Sequence, residues 1–391
     1  MAIETFGFPT TIRFGAGASR EVGPHLRERG LARPIVVTDR ALAKLPVAQA
    51  FVAALRDAGL DVALFDGVFG NPTGAQAMAG GAAARAHAAD AVIGFGGGAA
   101  LDVAKAVLVM AGHDGDVLEY AFDHPQVRPI GDRLPYFVAV PTTAGTGSEV
   151  GRSAVVSDDA THVKKILFSP KLLARIVFAD PDLTLDLPAP VTAATGMDAL
   201  THNVESYLSP AYHPLCDGIA LEGVRIAARA LARAVANGHD RDARADMLMS
   251  SMMGAIAFQK DLGAVHSCAH ALSTVADLHH GLANGVMIDH VMRFNLPAAV
   301  DRMAELAHVA RAPGGDRGSP EARAAAFVEW LGALKREIGI PAQLAGVRGG
   351  RPVRRQDLPA LTAVAVADGC HKTNPRPVSA GEFTALFEAA L

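Results

Sequence analysis

The feature that most restricts how this chain folds is a change of pattern near residue 188. Ahead of it, short apolar runs rich in β-branched residues alternate with helical stretches. Strand-like segments fall at 11–14, P-I-V-V-T-D (34–39), 61–65, A-V-I-G-F (91–95) and P-Y-F-V-A-V (135–140), with helices at 20–29, 47–58 and 74–88 between them. Such alternation predicts a parallel sheet with helices on its faces. Behind the change, alanine- and leucine-rich helical patterns run to the C-terminus, among them a core-facing helix over 220–236 and a surface loop at 312–321. Pro181, Pro188 and Pro190 punctuate D-P-D-L-T-L-D-L-P-A-P between the two regimes. The expected division is an α/β domain over 1–188 and an all-helical domain over 189–391.

Composition excludes several roles. With 391 residues, a net charge of −4 and no basic block, the chain has no footprint for nucleic acid. No apolar run reaches the eighteen or so residues of a membrane span. The start, M-A-I-E-T-F-G-F-P-T, lacks the basic and apolar segments of an export signal. Cys216, Cys268 and Cys370 are odd in number and not spaced as a zinc pair. A cytoplasmic protein without membrane contact is expected, its thiols kept reduced.

Two stretches carry chemistry. T-G-M-D-A-L-T-H places Asp198 and His202 four residues apart on one helix face, where both side chains can reach one ion. Some sixty residues later G-A-V-H-S-C-A-H repeats the spacing with His266 and His270, and His279 and His280 follow. With 15 histidines and 40 acidic residues, an acid followed at i+4 by histidine arises by chance about once or twice, so the first pair alone says little. The concentration of imidazoles in apolar surroundings says more, because burying them unpaired is costly and a metal would satisfy them.

The second stretch is G-F-G-G-G-A-A-L-D-V-A-K-A (94–106), glycines passing from a strand into a helix. Residues without side chains let peptide N–H groups approach an anion at a helix N-terminus. The spacing is not G-x-G-x-x-G, and a tight structural turn fits as well. P-T-T-A-G-T-G-S-E-V (141–150) offers hydroxyls and glycines after the next strand. Asp39, at the end of its strand, is placed either to accept from a ribose or to cap the following helix.

Taken together, G-G-G-A-A-L-D-V-A-K, P-T-T-A-G-T-G-S-E, D-P-D-L-T, T-G-M-D-A-L-T-H-N-V-E and H-x3-H-x9-H ending in H-G-L-A-N resemble the iron-containing, group III alcohol dehydrogenases over essentially the whole chain. The resemblance implies a dehydroquinate synthase-like architecture, with an NAD-binding α/β domain and a helical domain for metal and substrate. It implies Asp198, His202, His266 and His280 as ligands, His279 outside that set, and His270 beside nicotinamide and substrate. For the cofactor it implies Asp39, Asn71, Gly97, Gly98, Asp102, Thr142, Thr143, Thr146, Ser148 and Lys164. Ala99, where many members carry serine, and Gly151, where threonine is common, depart from the pattern.

The expected reaction is metal-assisted hydride transfer between a primary alcohol and the nicotinamide, with His270 relaying the hydroxyl proton. Fe(II) is favoured by the resemblance, and Zn(II) stays open because imidazole suits both. Asp39 favours NAD by repelling the 2′-phosphate of NADP, which also stays open. Lys260 in A-F-Q-K-D-L-G and Lys372 in C-H-K-T-N-P resemble the 4-hydroxybutyrate dehydrogenase branch and are read as anchors for a substrate carboxylate, as in an ω-hydroxy acid. The other readings are a lysine completing a helix end and a solvated lysine, in an enzyme for short alcohols or diols. A non-redox, dehydroquinate synthase-like lyase is the remote alternative. A small-molecule substrate and a homo-oligomer, a dimer in the first instance, complete the expectation.

Overall fold

The computed structural model of the chain describes residues 7, 8 and 10–391. The N-terminal stretch read for an export signal lies largely outside them. No helix among the described residues is long and apolar enough to cross a membrane.

Two compact units are present. One comprises Phe8–Thr143 and Gly147–Thr184; the other comprises Leu185–Leu391 with Ala144–Thr146 and Gly7. The first contains eight strands: β1 (Thr11–Phe14), β2 (Pro34–Asp39), β3 (Ala63–Val68), β4 (Ala91–Gly96), β5 (Tyr136–Pro141), β6 (Ser153–Ser157), β7 (Lys164–Phe168) and β8 (Ile176–Ala179). Six form one sheet in the order β1-β8-β5-β4-β2-β3, with every pair parallel. β6 and β7 form a separate antiparallel hairpin.

The sequence pattern follows from this placement. β4 is buried at every residue, as a central parallel strand covered on both faces must be, and its composition is correspondingly apolar. The edge strands β1 and β3 are largely exposed or half-buried. On one face α2 (Pro46–Asp57) seals a core in which Phe51 stacks on Phe95, ring centroids 4.4 Å apart. α4 (Gly98–Gly112), buried along most of its length, follows β4 directly. After β2 the chain adds β3 on one side, then crosses back to place β4 on the other. The carboxyl ends of β2 and β4 therefore lie at a topological switch point, where open α/β sheets receive ligands.

The second unit is helical: α5 (Ala189–Leu208), α6 (Pro214–Ala236), α7 (Arg241–Ala257), α8 (Ala264–Ala276), α9 (His280–Asn295), α10 (Val300–Val309), α11 (Pro320–Glu337), α12 (Leu358–Ala367) and α13 (Ala380–Ala390). α5 is its centre, buried from Thr192 to Ser209 except at half-buried Thr195. Its neighbours come close: a Cβ at Gly254 of α7 would lie 2.8 Å from His202 Cβ.

Several elements differ from expectation. β3 begins two residues later and runs to Val68; α6 begins at Pro214 with His213 as its cap; and β8 and the β6–β7 hairpin were not anticipated.

Candidate active site

At the switch point, Asp39 uses Oδ1 to accept from the N–H groups of Ala41 and Leu42, at 3.0 and 2.8 Å. These bonds make a turn ahead of the short helix Leu42–Lys44, whose cap residue is Ala41, and they leave Oδ2 toward Gly96, 3.9 Å from where a Cβ would stand. Gly97 caps α4 and Gly98 opens it. A Cβ at Gly97 would lie 3.1 Å from Thr143 Oγ1, so the turn stays bare of side chains and its peptide N–H groups stay open to an anion. The buried Thr142 ties this turn to the next strand, its N–H donating to Gly96 O at 3.0 Å.

Asp102 and Ser148 have partners inside the unit. Ser148 Oγ donates to Asp102 Oδ1 at 2.6 Å, and Val155 N–H donates to Oδ2 at 3.2 Å. Lys105, fully buried, donates to Ser148 O, Ser148 Oγ and Ser153 O at 2.7, 2.9 and 2.7 Å. These residues brace the hydroxyl-rich loop against α4. Burial lowers the Lys105 ammonium and raises the Asp102 carboxyl, and it pushes nearby Glu149 up to about 7. The brace role of Lys105 was missed in the sequence, although it sits inside a quoted motif. Asn71 is exposed and Lys164 half-buried at the start of β7, its charge acting on Asp102. Thr146 is half-buried and groups with the helical unit.

In that unit α5 supplies Asp198 and His202, α8 supplies His266, and α9 opens with His280. The three Nε2 atoms lie 3.8, 3.7 and 3.4 Å from one oxygen, Asp198 Oδ1. Asp198, His202 and His266 are buried, while the His280 side chain is 26% exposed. Burial alone would raise the Asp198 carboxyl, but the surrounding imidazoles outweigh it and hold it well below the usual range. Burial pushes His202 down to about 4. It opposes protonation of His266 too, yet hydrogen bonds to Asp198 and Glu205 bring that ring up to about 9. One carboxylate and three imidazoles converging on one point offer the oxygen and nitrogen donors that fit a divalent cation of the first transition row.

Glu205, one turn beyond His202 on the same helix, was missed. Its oxygens accept from Val265 N–H at 2.7 Å and from His266 Nδ1–H at 2.6 Å, which fixes the tautomer and aims His266 Nε2 at Asp198. Asn284, one turn after His280, was missed as well. It donates from Nδ2 to Asp198 Oδ1 at 2.7 Å and lies 3.2 and 3.4 Å from the Nε2 atoms of His280 and His266.

His270 stacks on His280, ring centroids 5.2 Å apart. Its Nδ1 is 2.8 Å from Asp368 Oδ2, and Asp368 in turn accepts from Ser267 Oγ and Cys370 N–H. Burial would raise that carboxyl, but His270 and Ser267 hold it well below the usual range. His279 stands apart from the cluster as the cap of α9, accepting from Leu282 N–H.

The reading of Lys260 as a carboxylate anchor is corrected. Its ammonium is buried, pairs with Asp217 and donates to Tyr207 O at 3.3 Å, and Arg302 reinforces Asp217 at 2.7 Å. The charge is matched within the fold. Lys372 is exposed on the short turn Cys370–Thr373.

A glycine turn at a sheet's switch point in one unit and a carboxylate–imidazole focus in the other define a class, the metal-dependent, nucleotide-linked dehydrogenases. The chain belongs to the iron-containing alcohol dehydrogenase family: residues 9–181 match that family, and residues 192–391 match the Fe-containing alcohol dehydrogenase family, C-terminal. It is similar to a 4-hydroxybutyrate dehydrogenase of Cupriavidus necator, 37% identical over 98% of each chain. A 1,3-propanediol dehydrogenase of Citrobacter freundii is 36% identical over 98% of this chain and 97% of its own. The crystal structure of a 1,3-propanediol oxidoreductase superposes with a TM-score of 0.93 at 35% identity, covering 99% of this chain and 100% of that one. The protein is an oxidoreductase acting on CH–OH groups, and its family implies iron and NAD(H).

Proposed function

We propose that the protein interconverts a primary alcohol and its aldehyde with NAD, using a cation held by Asp198, His202, His266 and His280. The observation that carries this is the convergence of three Nε2 atoms within 3.4–3.8 Å of Asp198 Oδ1. A divalent cation bound there supplies Lewis acidity toward the alcohol oxygen. Iron over zinc rests on the family alone.

The chain's own residues do the rest. Glu205 keeps His266 in the tautomer that presents Nε2. Asp368 accepts from His270 Nδ1–H, which leaves Nε2 as the basic nitrogen to take the hydroxyl proton and pass it outward. The N-terminus of α4 receives the cofactor diphosphate, and the free oxygen of Asp39 receives a ribose hydroxyl and disfavours NADP. On this reading residues 1–188 form the NAD-binding domain and 189–391 the metal and substrate domain, in a cytoplasmic homodimer.

The substrate we propose is an ω-hydroxy acid such as 4-hydroxybutyrate. The 37% identity to a dehydrogenase of that name supports it, and Lys372 is the remaining candidate for its carboxylate. The second reading, a short alcohol or diol, is supported by the 36% identity to propanediol dehydrogenases. Anaerobic turnover of the Fe(II)-loaded protein with NAD separates them. A preference for 4-hydroxybutyrate over 1-butanol of about a hundredfold, about 2.7 kcal/mol, that Lys372→Met removes is the expected result. Equal rates would leave the alcohol reading standing.

A further inference from the structure

Asn284 is fully buried in α9, and its two amide ends have opposite surroundings. Nδ2 stands close to three atoms: Asp198 Oδ1, which accepts from it at 2.7 Å, His280 Nε2 at 3.2 Å and His266 Nε2 at 3.4 Å. These are atoms of the proposed ligand set. Oδ1 is buried and meets no hydrogen-bond partner among the described residues. An amide oxygen left so loses its hydration with no bond in return.

The lone pairs facing Nδ2 are those that would be directed at a cation. An N–H group carries partial positive charge and has no favourable contact with a cation sharing those lone pairs. Turning the amide end for end brings the oxygen to that place. Two oxygens as close as Asp198 Oδ1 and a turned Asn284 Oδ1 repel each other unless a cation lies against both. A cation there removes the orphaned oxygen and the repulsion together.

We propose that Asn284 is a fifth, neutral donor to the cation, binding through Oδ1. The proposal rests on the reading of Asp198, His202, His266 and His280 as ligands and adds a member to that set. An amide oxygen adds no charge and does not titrate. A fifth donor moves the site away from the closed four-coordinate geometry of structural zinc and toward the higher coordination numbers that suit iron.

The test titrates the full-length, metal-stripped protein with Co(II), whose visible bands weaken as coordination number rises, and measures Fe(II) affinity by chelator competition. Asn284→Leu keeps the side chain's shape without a donor; Asn284→Asp keeps an oxygen in place. The parent protein is expected to bind one Co(II) per chain with weak bands. Asn284→Leu is expected to give more intense bands of lower coordination and Fe(II) binding weaker by about tenfold, while Asn284→Asp keeps the parent's pattern. Parent-like bands in Asn284→Leu would overturn the inference, even with weakened affinity, because Asn284 would then act only through its neighbours. Should Asn284→Leu fail to fold, Asn284→Asp decides: bands unlike the parent's overturn the inference, and parent-like bands with tighter Fe(II) binding uphold it. Undiminished Co(II) binding by His266→Ala would instead overturn the four-ligand reading beneath it.

Discussion

The two units prepare their sites by opposite means. In the α/β unit the site is made of backbone: a bare Gly97, the opening N–H groups of α4, and a loop held from behind by Lys105, Asp102 and Ser148. In the helical unit it is made of side chains, four of them from three helices meeting around one carboxylate oxygen. A backbone site fails when an atom is added, whereas a side-chain site fails when one is removed. Damage to either should therefore be separable from damage to the other.

The largest effect expected is from Asp198→Ala. Turnover should fall by about three orders of magnitude, roughly 4 kcal/mol, while fluorescence titration shows NADH binding as before. A parallel loss of cofactor affinity would break the separation. Next comes Glu149, whose carboxyl burial lifts to about 7 from an ordinary 4.5. A group raised in the folded state contributes stability that is complete below its unfolded value and lost as pH climbs through the folded one. Between pH 4.5 and 7 the protein should lose about 3 kcal/mol on this account. Glu149→Gln should remove that slope, with a melting temperature above the parent's at pH 8 and little changed at pH 4.5. Equal shifts at both values would show that the carboxyl stays charged.

Lys260→Met strips one charged hydrogen bond from Asp217 while the ion pair with Arg302 remains, so denaturation in urea should show a loss of about 2 kcal/mol. The Michaelis constants for 4-hydroxybutyrate and butanol should move together, and a rise confined to the acid would restore the role withdrawn from this lysine. The smallest effect belongs to Gly97→Ala, whose methyl must settle against Thr143 Oγ1. Its dissociation constant for NADH should rise about tenfold, about 1.4 kcal/mol, with bound metal unchanged. Lost metal would sharpen the picture the other way, by showing that a change in one unit reaches the site of the other.

What could be read from sequence divides along the same line. β2 and β4 announce themselves because strands covered on both faces are apolar along most of their length. The pair Asp198 and His202 is legible because helix geometry fixes what i and i+4 share. β8 escapes notice because four residues, I-V-F-A, are too few for a period. Glu205 closes the quoted motif T-G-M-D-A-L-T-H-N-V-E, at i+3 from His202, but nothing in that motif names His266 as its partner. Asp368 lies 98 residues beyond His270, a pairing that only tertiary structure creates. Lys260 misled for the same reason, since nothing in a sequence says that its partner stands 43 residues earlier. Neighbouring His279 and His280 are told apart by where α9 begins: one becomes its cap, the other its first residue.

The burial of α5 bears on how such a protein changes over generations. From Thr192 to Ser209 the helix has no outer face, only half-buried Thr195 breaking the seal. Drift along it is checked by packing at nearly every position, whatever the residue does for catalysis. Substitutions cost less packing at exposed positions such as Lys372 on the turn Cys370–Thr373, while the helix is held almost as a single word.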